Sequence, residues 1–76
     1  MKAFVLIKIR AGDVKDVVGE LRRTESVTEA YMTFGPYDAV AVVDANDLGS
    51  VGSLVASTIQ PMLGVEQTLT CLTVDL

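Results

Sequence analysis

The stretch VTEAYMTFGPYDAVAVVD, residues 27–44, contains two apolar and β-branched runs separated by Gly35-Pro36. Gly and Pro punctuate a chain at turns, and apolar runs on both sides of such a turn are typical of a β-hairpin. We therefore predict strands over residues 27–34 and 39–43, joined by a loop whose tip carries Tyr37 and Asp38. The hairpin lies close to the middle of a chain of 76 residues.

The segment before the hairpin predicts a strand followed by a helix. Residues 2–10 are mostly apolar and β-branched, and Ala11-Gly12 ends that run. Asp13 is the predicted N-cap of the helix, because a carboxylate can accept a bond from the first free N–H groups. The apolar side chains then recur at i, i+3, i+4 and i+7, which places them on one stripe of a surface helix: Val14, Val17, Val18 and Leu21.

The segment after the hairpin repeats this pattern. Asn46 and Asp47 offer a cap, apolar residues recur at helical spacing as far as Met62, and Pro61 marks the end of the helix. Residues 65–76, rich in Val, Leu and Thr, predict a closing strand. Two βαβ units joined by a hairpin give the α+β class with a ferredoxin-like order, βαββαβ. This order predicts a four-stranded antiparallel sheet with both helices on one face.

The first and third predicted strands are apolar on both faces. In the first strand, one face carries Phe4 and Leu6 and the other carries the alternating set Ala3, Val5, Ile7 and Ile9. In the third strand, one face carries Val40 and Val42 and the other carries Ala41 and Val43. Two helices cover one face only, and a chain of this size buries only about 60% of its unfolded surface. We therefore predict that the uncovered face packs on the same face of a second copy, so that the sheets pair face to face in a dimer.

The composition of the chain argues against several classes of function. A net charge of −4 gives no basic surface for direct binding of nucleic acid. The chain has no histidine and one cysteine, Cys71, which we expect to be a small core residue and which leaves no metal or redox cluster. Gly49 and Gly52 do not form a phosphate-binding pattern, and we expect them to permit close helix packing. No apolar run is long enough for a membrane span and no signal peptide is evident, so we expect a cytoplasmic protein without a cofactor.

The hairpin loop has the residue types that could hold an α-amino acid. The carboxylate of Asp38 can accept hydrogen bonds from an ammonium group, and the amides around Gly35 can approach a carboxylate closely because glycine has no Cβ. Thr68 and Thr70 alternate on one face of the last strand and could add hydroxyl groups from the same or a neighbouring subunit. Each feature also has a purely structural interpretation. The loop residues are common in turns, and threonine is a favoured strand residue.

Two motifs resemble a known family. The pattern S-V-x-E-A-Y-x-T-x-G-x-Y-D at residues 26–38, followed by G-V-x-x-T-x-T at residues 64–70, is similar to the effector-binding domain of Lrp/AsnC transcription regulators, often called the RAM domain. The similarity runs over residues 1–76 as a single domain without a helix-turn-helix domain, as in the stand-alone members. It implies dimers that assemble into octamers or decamers, with amino-acid effectors bound at contacts between dimers. The implied ligand-binding residues are Gly35, Pro36, Tyr37 and Asp38, with Thr33, Thr68 and Thr70 in addition.

The sequence thus favours a non-enzymatic regulatory module that senses a small effector and acts on full-length regulators of the same family. One alternative is a small dimeric α+β enzyme of the cofactor-free oxygenase or isomerase type, whose paired sheets would enclose a substrate. The other is a scaffold whose ligand site has decayed. Titration with amino acids separates the sensor from the scaffold.

Overall fold

The strands and helices follow the predicted order. A computed structural model describes residues 1–75 of the chain. The strands and the two helices are β1 Lys2–Ile9, α1 Val14–Arg22, β2 Val27–Met32, β3 Ala39–Asp44, α2 Leu48–Leu54 and β4 Val65–Leu72, with a π-helical segment, Val55–Ile59, directly after α2.

The four strands form one antiparallel sheet in the order β2-β3-β1-β4. This order and the two helices confirm the ferredoxin-like α+β fold. The ends of β1 and β2 and the beginnings of β3 and β4 therefore lie at the same end of the sheet. The β2–β3 loop, the β1–α1 corner and the turn before β4 are neighbours at that end.

The core lies between the helices and one face of the sheet. Alternate residues of β1 are buried, as are residues on the same face of β2 and β3 and the apolar stripe of α1. The buried set is Ala3, Val5, Ile7, Ile9, Val17, Val18, Leu21, Ala30, Ala39, Ala41, Val43, Val51, Val55, Ile59 and Met62. The helical spacing of the first half thus predicted the packed face of α1 correctly.

The corner between β1 and α1 packs tightly against the turn before β4. Asp13 occupies the N-cap position of α1, but its side chain makes no capping hydrogen bond. Its carboxylate instead accepts from Arg10 Nε at 2.7 Å and pairs with Arg10 Nη2 at 2.7 Å. The N–H of Arg10 donates to the carbonyl oxygen of Gly64 at 2.7 Å. A Cβ atom on Gly64, whose φ is +99°, would lie 2.6 Å from Cβ of Asp13, so this position requires glycine.

The second helix differs from the prediction at its glycines. Asp47 is the N-cap, and its carboxylate accepts from the N–H of Ser50 at 2.7 Å, which lowers the pKa of that carboxyl. A Cβ on Gly52 would meet nothing within 4 Å, and one on Gly49 would make only ordinary contact with Asp47. The expectation that Gly49 and Gly52 permit close packing was wrong, because both lie on the exposed side of α2.

The face of the sheet opposite the helices is open and apolar at its centre. Leu6 pairs with Val40 on one side and with Leu69 on the other. Phe4 pairs in the same way with Val42 and Cys71. We call these six residues the open face. Cys71 is exposed there, so its expected place in the core was wrong. The strand alternation puts Cys71 on the face of Leu69, away from the helices.

Three predicted strands are longer than the observed ones, and of these β1 is shorter than predicted by one residue, Arg10. β2 ends at Met32, so Thr33 and Phe34 belong to the loop. β4 ends at Leu72, and residues 73–75 lie beyond it, while Leu76 is outside the described residues. Among residues 1–75, no helix is both long and apolar enough to cross a membrane.

Candidate functional site

The β2–β3 loop, residues 33–38, is closed by hydrogen bonds between its two ends. The N–H of Thr33 donates to the carbonyl oxygen of Asp38 at 3.0 Å, and the Thr33 hydroxyl donates to the carbonyl oxygen of Tyr37 at 2.7 Å. Thr33 therefore holds the loop together from its first residue. Tyr37 and Asp38 are half-buried, whereas the residues between Thr33 and Tyr37 are exposed.

Three further bonds attach the loop to β1. The N–H of Asp38 donates to the carbonyl oxygen of Ile7 at 2.9 Å. The N–H of Ile9 donates to Oδ2 of Asp38 at 2.8 Å, in partly buried surroundings. Lys8 Nζ donates to the carbonyl oxygen of Pro36 at 3.4 Å. Asp38, proposed from sequence as a ligand acceptor, thus also has a structural contact through one of its two carboxylate oxygens.

The tip of the loop presents an aromatic ring that the sequence reasoning left out of the site. Phe34 is fully exposed, at 108% of its reference surface. A Cβ on Gly35 would meet nothing within 4 Å, so the fold itself does not require glycine there. The exposed ring is free to contact a second molecule. The sequence prediction placed Phe34 in the strand, whereas the pairing of β2 ends at Met32, so Phe34 belongs to the loop.

Thr68 and Thr70 do not meet this loop within one chain. They pair with Ile7 and Val5, whose side chains are buried under the helices, so both threonines lie on the helix side of β4. β4 and β3 flank β1 on opposite sides. Thr68 Oγ1 accepts from Gln60 Nε2 at 3.0 Å, which leaves its hydroxyl proton free to donate. A single chain therefore gathers Thr33 and residues 35–38 but not the two threonines.

Polar and charged side chains border the open face. The Tyr31 hydroxyl donates to Oε1 of Glu29 at 2.6 Å, and this bond raises the pKa of Tyr31. Lys2 Nζ lies 5.7 Å from the centre of the Phe4 ring, which is within the range of a cation–π interaction. An apolar centre with a polar border is the arrangement found in protein interfaces.

The described residues show no candidate metal centre. Within residues 1–75, no three Asp, Glu, Cys or His side chains come together in a group that could hold a metal ion. The polar groups that the protein itself offers at the loop end of the sheet are the carboxylate of Asp38, the hydroxyl of Thr33 and backbone amides between these residues.

The fold defines the class, a small ferredoxin-like α+β domain, and comparison with known proteins gives the family. A family model for the Lrp/AsnC ligand binding domain matches residues 2–75. The chain therefore belongs to the Lrp/AsnC ligand-binding domain family.

Named relatives and solved structures agree with this family. The chain is 36% identical over 70 residues to the HTH-type transcriptional regulator FL11 of Pyrococcus abyssi, covering 92% of this chain and 46% of that protein. It thus spans about half the length of the curated relatives it matches. The crystal structure of TTHA0845 from Thermus thermophilus has a TM-score of 0.93 and 35% identity, with 99% of this chain and 94% of that chain covered.

A more distant structure shares the fold and was solved with a ligand. The complex of the transcriptional regulator NMB0573 from Neisseria meningitidis with L-Met has a TM-score of 0.86 and 20% identity. The superposition covers 97% of this chain and 49% of that one.

Proposed function

We propose that this chain is a non-enzymatic effector-binding module that assembles through its open face and binds a small amino acid at a contact between subunits. The observation that carries the proposal is the match of residues 2–75 to a ligand-binding domain family. The curated relatives are transcriptional regulators, so the partners that fit best are full-length regulators of the same family, in the cytoplasm.

The open face supports the assembly. Phe4 and Leu69 keep 37% and 46% of their surface exposed at the centre of a sheet face that no helix covers. Burying such a patch contributes about 25 cal/mol for each Å² of apolar surface removed from water. A twofold axis through the open face would place the same apolar residues of two copies against one another. The proposed unit is therefore a dimer, with dimers joining further into an octamer or decamer.

The loop supports the effector. Oδ2 of Asp38 is used by Ile9, and Oδ1 remains available to accept from an ammonium group. Phe34 and Gly35 are exposed, and their N–H groups can donate to a carboxylate, whereas Pro36 has no N–H. Thr68 and Thr70 would join such a site from a neighbouring subunit, since they lie across β1 from the loop of their own chain. The L-Met complex of NMB0573 is one case of this fold in a complex with an amino acid.

Isothermal titration against the twenty amino acids tests the effector. We expect at least one to bind at millimolar concentration or below. Asp38→Asn should weaken its binding about tenfold or more, because a charge-assisted bond to the ammonium group becomes a neutral one. The asparagine keeps a side-chain oxygen for Ile9, which protects the loop. Asp16→Asn, the same exchange at an exposed carboxylate of α1, is the control and should bind as the wild type does.

Two results would count against an amino-acid sensor. If none of the twenty binds the wild type at millimolar concentration, the chain acts as an assembly module without an effector of this class. If one binds but Asp38→Asn leaves the affinity unchanged, the ammonium group is held elsewhere.

A further inference from the structure

At the end of β1, the backbone N–H of Ile9 donates to a side-chain oxygen. In a regular sheet, a carbonyl group of the neighbouring strand would accept this bond. Main-chain pairing between β1 and β3 stops at Ile7 and Ala39. Two residues later, Ile9 has a buried side chain and pairs with Val65 of β4 on its other side. Its N–H donates to Oδ2 of Asp38 at 2.8 Å. A donor in partly buried surroundings is costly to leave without a partner, and this carboxylate supplies it.

We propose that Asp38 is a positioning residue of the loop, whose Oδ2 replaces a strand carbonyl and fixes residues 33–38 against the end of β1. This role is separate from the effector contact. It uses one oxygen and needs an acceptor, whereas binding an ammonium group uses the other oxygen and needs the charge. The division between the two oxygens rests on the proposed function, but the positioning role does not.

The next amide along the chain provides an internal reference. The N–H of Arg10 donates to the carbonyl oxygen of Gly64 at 2.7 Å. Two successive amides at the end of β1 thus bond to different neighbouring segments, that of Ile9 to the loop and that of Arg10 to the turn before β4. Only the bond of Ile9 depends on a side chain. A change at Asp38 should therefore affect Ile9 and spare Arg10.

Amide hydrogen exchange followed by NMR tests the role without any effector. In Asp38→Ala, the Ile9 amide should exchange about tenfold faster or more, relative to the Arg10 amide of the same sample, since a bond to a charged acceptor is lost. Asp38→Asn should restore most of the protection, because its side-chain oxygen can accept the same bond. Asp16→Asn should leave both amides unchanged. Unchanged protection of Ile9 in Asp38→Ala would overturn the proposal.

A second measurement on the wild type remains decisive if Asp38→Ala fails to fold. A long-range HNCO spectrum of the wild type should show a scalar coupling between the Ile9 amide nitrogen and the Asp38 carboxyl carbon, because the Ile9 N–H donates to that carboxylate. Absence of this coupling in a spectrum that shows the coupling from the Arg10 amide nitrogen to the Gly64 carbonyl carbon would contradict the positioning role. If Asn restores protection of Ile9 while no amino acid binds the wild type, the positioning role stands and the effector proposal fails.

Discussion

Leu69→Lys should convert the assembly into monomers. Leu69 lies on the open face beside Leu6 and is still 46% exposed in the isolated chain, so the substitution should leave the monomer folded. In the paired sheets, each copy would bury an ammonium group without a partner, at a cost of about 3 kcal/mol. Because a twofold dimer contains the substitution twice, the total cost is about 6 kcal/mol. The dissociation constant of the dimer should therefore rise by about four orders of magnitude. Sedimentation velocity over a dilution series measures this change.

Ser53→Lys is the matched control for charge. Ser53 is exposed on α2, in the helix layer on the other side of the sheet, and receives the same side chain. We expect it to remain at least dimeric over the range in which Leu69→Lys is monomeric. Far-UV circular dichroism confirms that both variants are folded. Wild-type association in folded Leu69→Lys would show that the subunits meet through another surface.

Gly64→Ala should be the most destabilising of the single-methyl substitutions at the glycines. Its φ of +99° is unfavourable for alanine by about 1–2 kcal/mol. The added Cβ would also lie 2.6 Å from Cβ of Asp13, and forcing such a contact costs roughly 1–3 kcal/mol more. We therefore expect a loss of about 2–5 kcal/mol in the free energy of unfolding. Urea unfolding at one fixed protein concentration measures it, since association contributes to stability.

Two other glycines separate the causes of that loss. Gly12 has a φ of +94° but open space at its Cβ, so Gly12→Ala should show the backbone cost alone, about 1–2 kcal/mol. Gly35 has neither feature, and Gly35→Ala should change stability by less than about 0.5 kcal/mol. If Gly64→Ala and Gly12→Ala lose the same stability, the contact between Gly64 and Asp13 does not constrain the corner.

The fold could be predicted from the sequence because its signals are local and periodic. The stripe from Val14 to Leu21 and the alternation from Ala3 to Ile9 each identify one buried face. The Gly35-Pro36 signal places the central hairpin. The same alternation predicted the open face, since Phe4 and Leu6 are out of phase with the core residues. Applied to β4, it would also have placed Cys71 outside the core.

The details of the site could not be predicted, because they depend on contacts between distant parts of the chain. Nothing in the sequence near Asp38 indicates that Ile9 will use its carboxylate, 29 positions away. The capping pattern predicted a role for Asp13 within its own helix, but Arg10 lies close enough to pair with that carboxylate. The separation of Thr68 from the loop follows from strand order, which residue types alone do not give.

The mass of the wild-type protein in solution tests most directly whether the open face joins two copies. Light scattering after size-exclusion chromatography, at micromolar concentration, should give at least twice the chain mass of 8.1 kDa, and an even multiple if dimers assemble further. The open face is then covered by a second copy, and a site shared between subunits can form. A single species of 8.1 kDa across the concentration range would contradict both the dimer and the shared effector site.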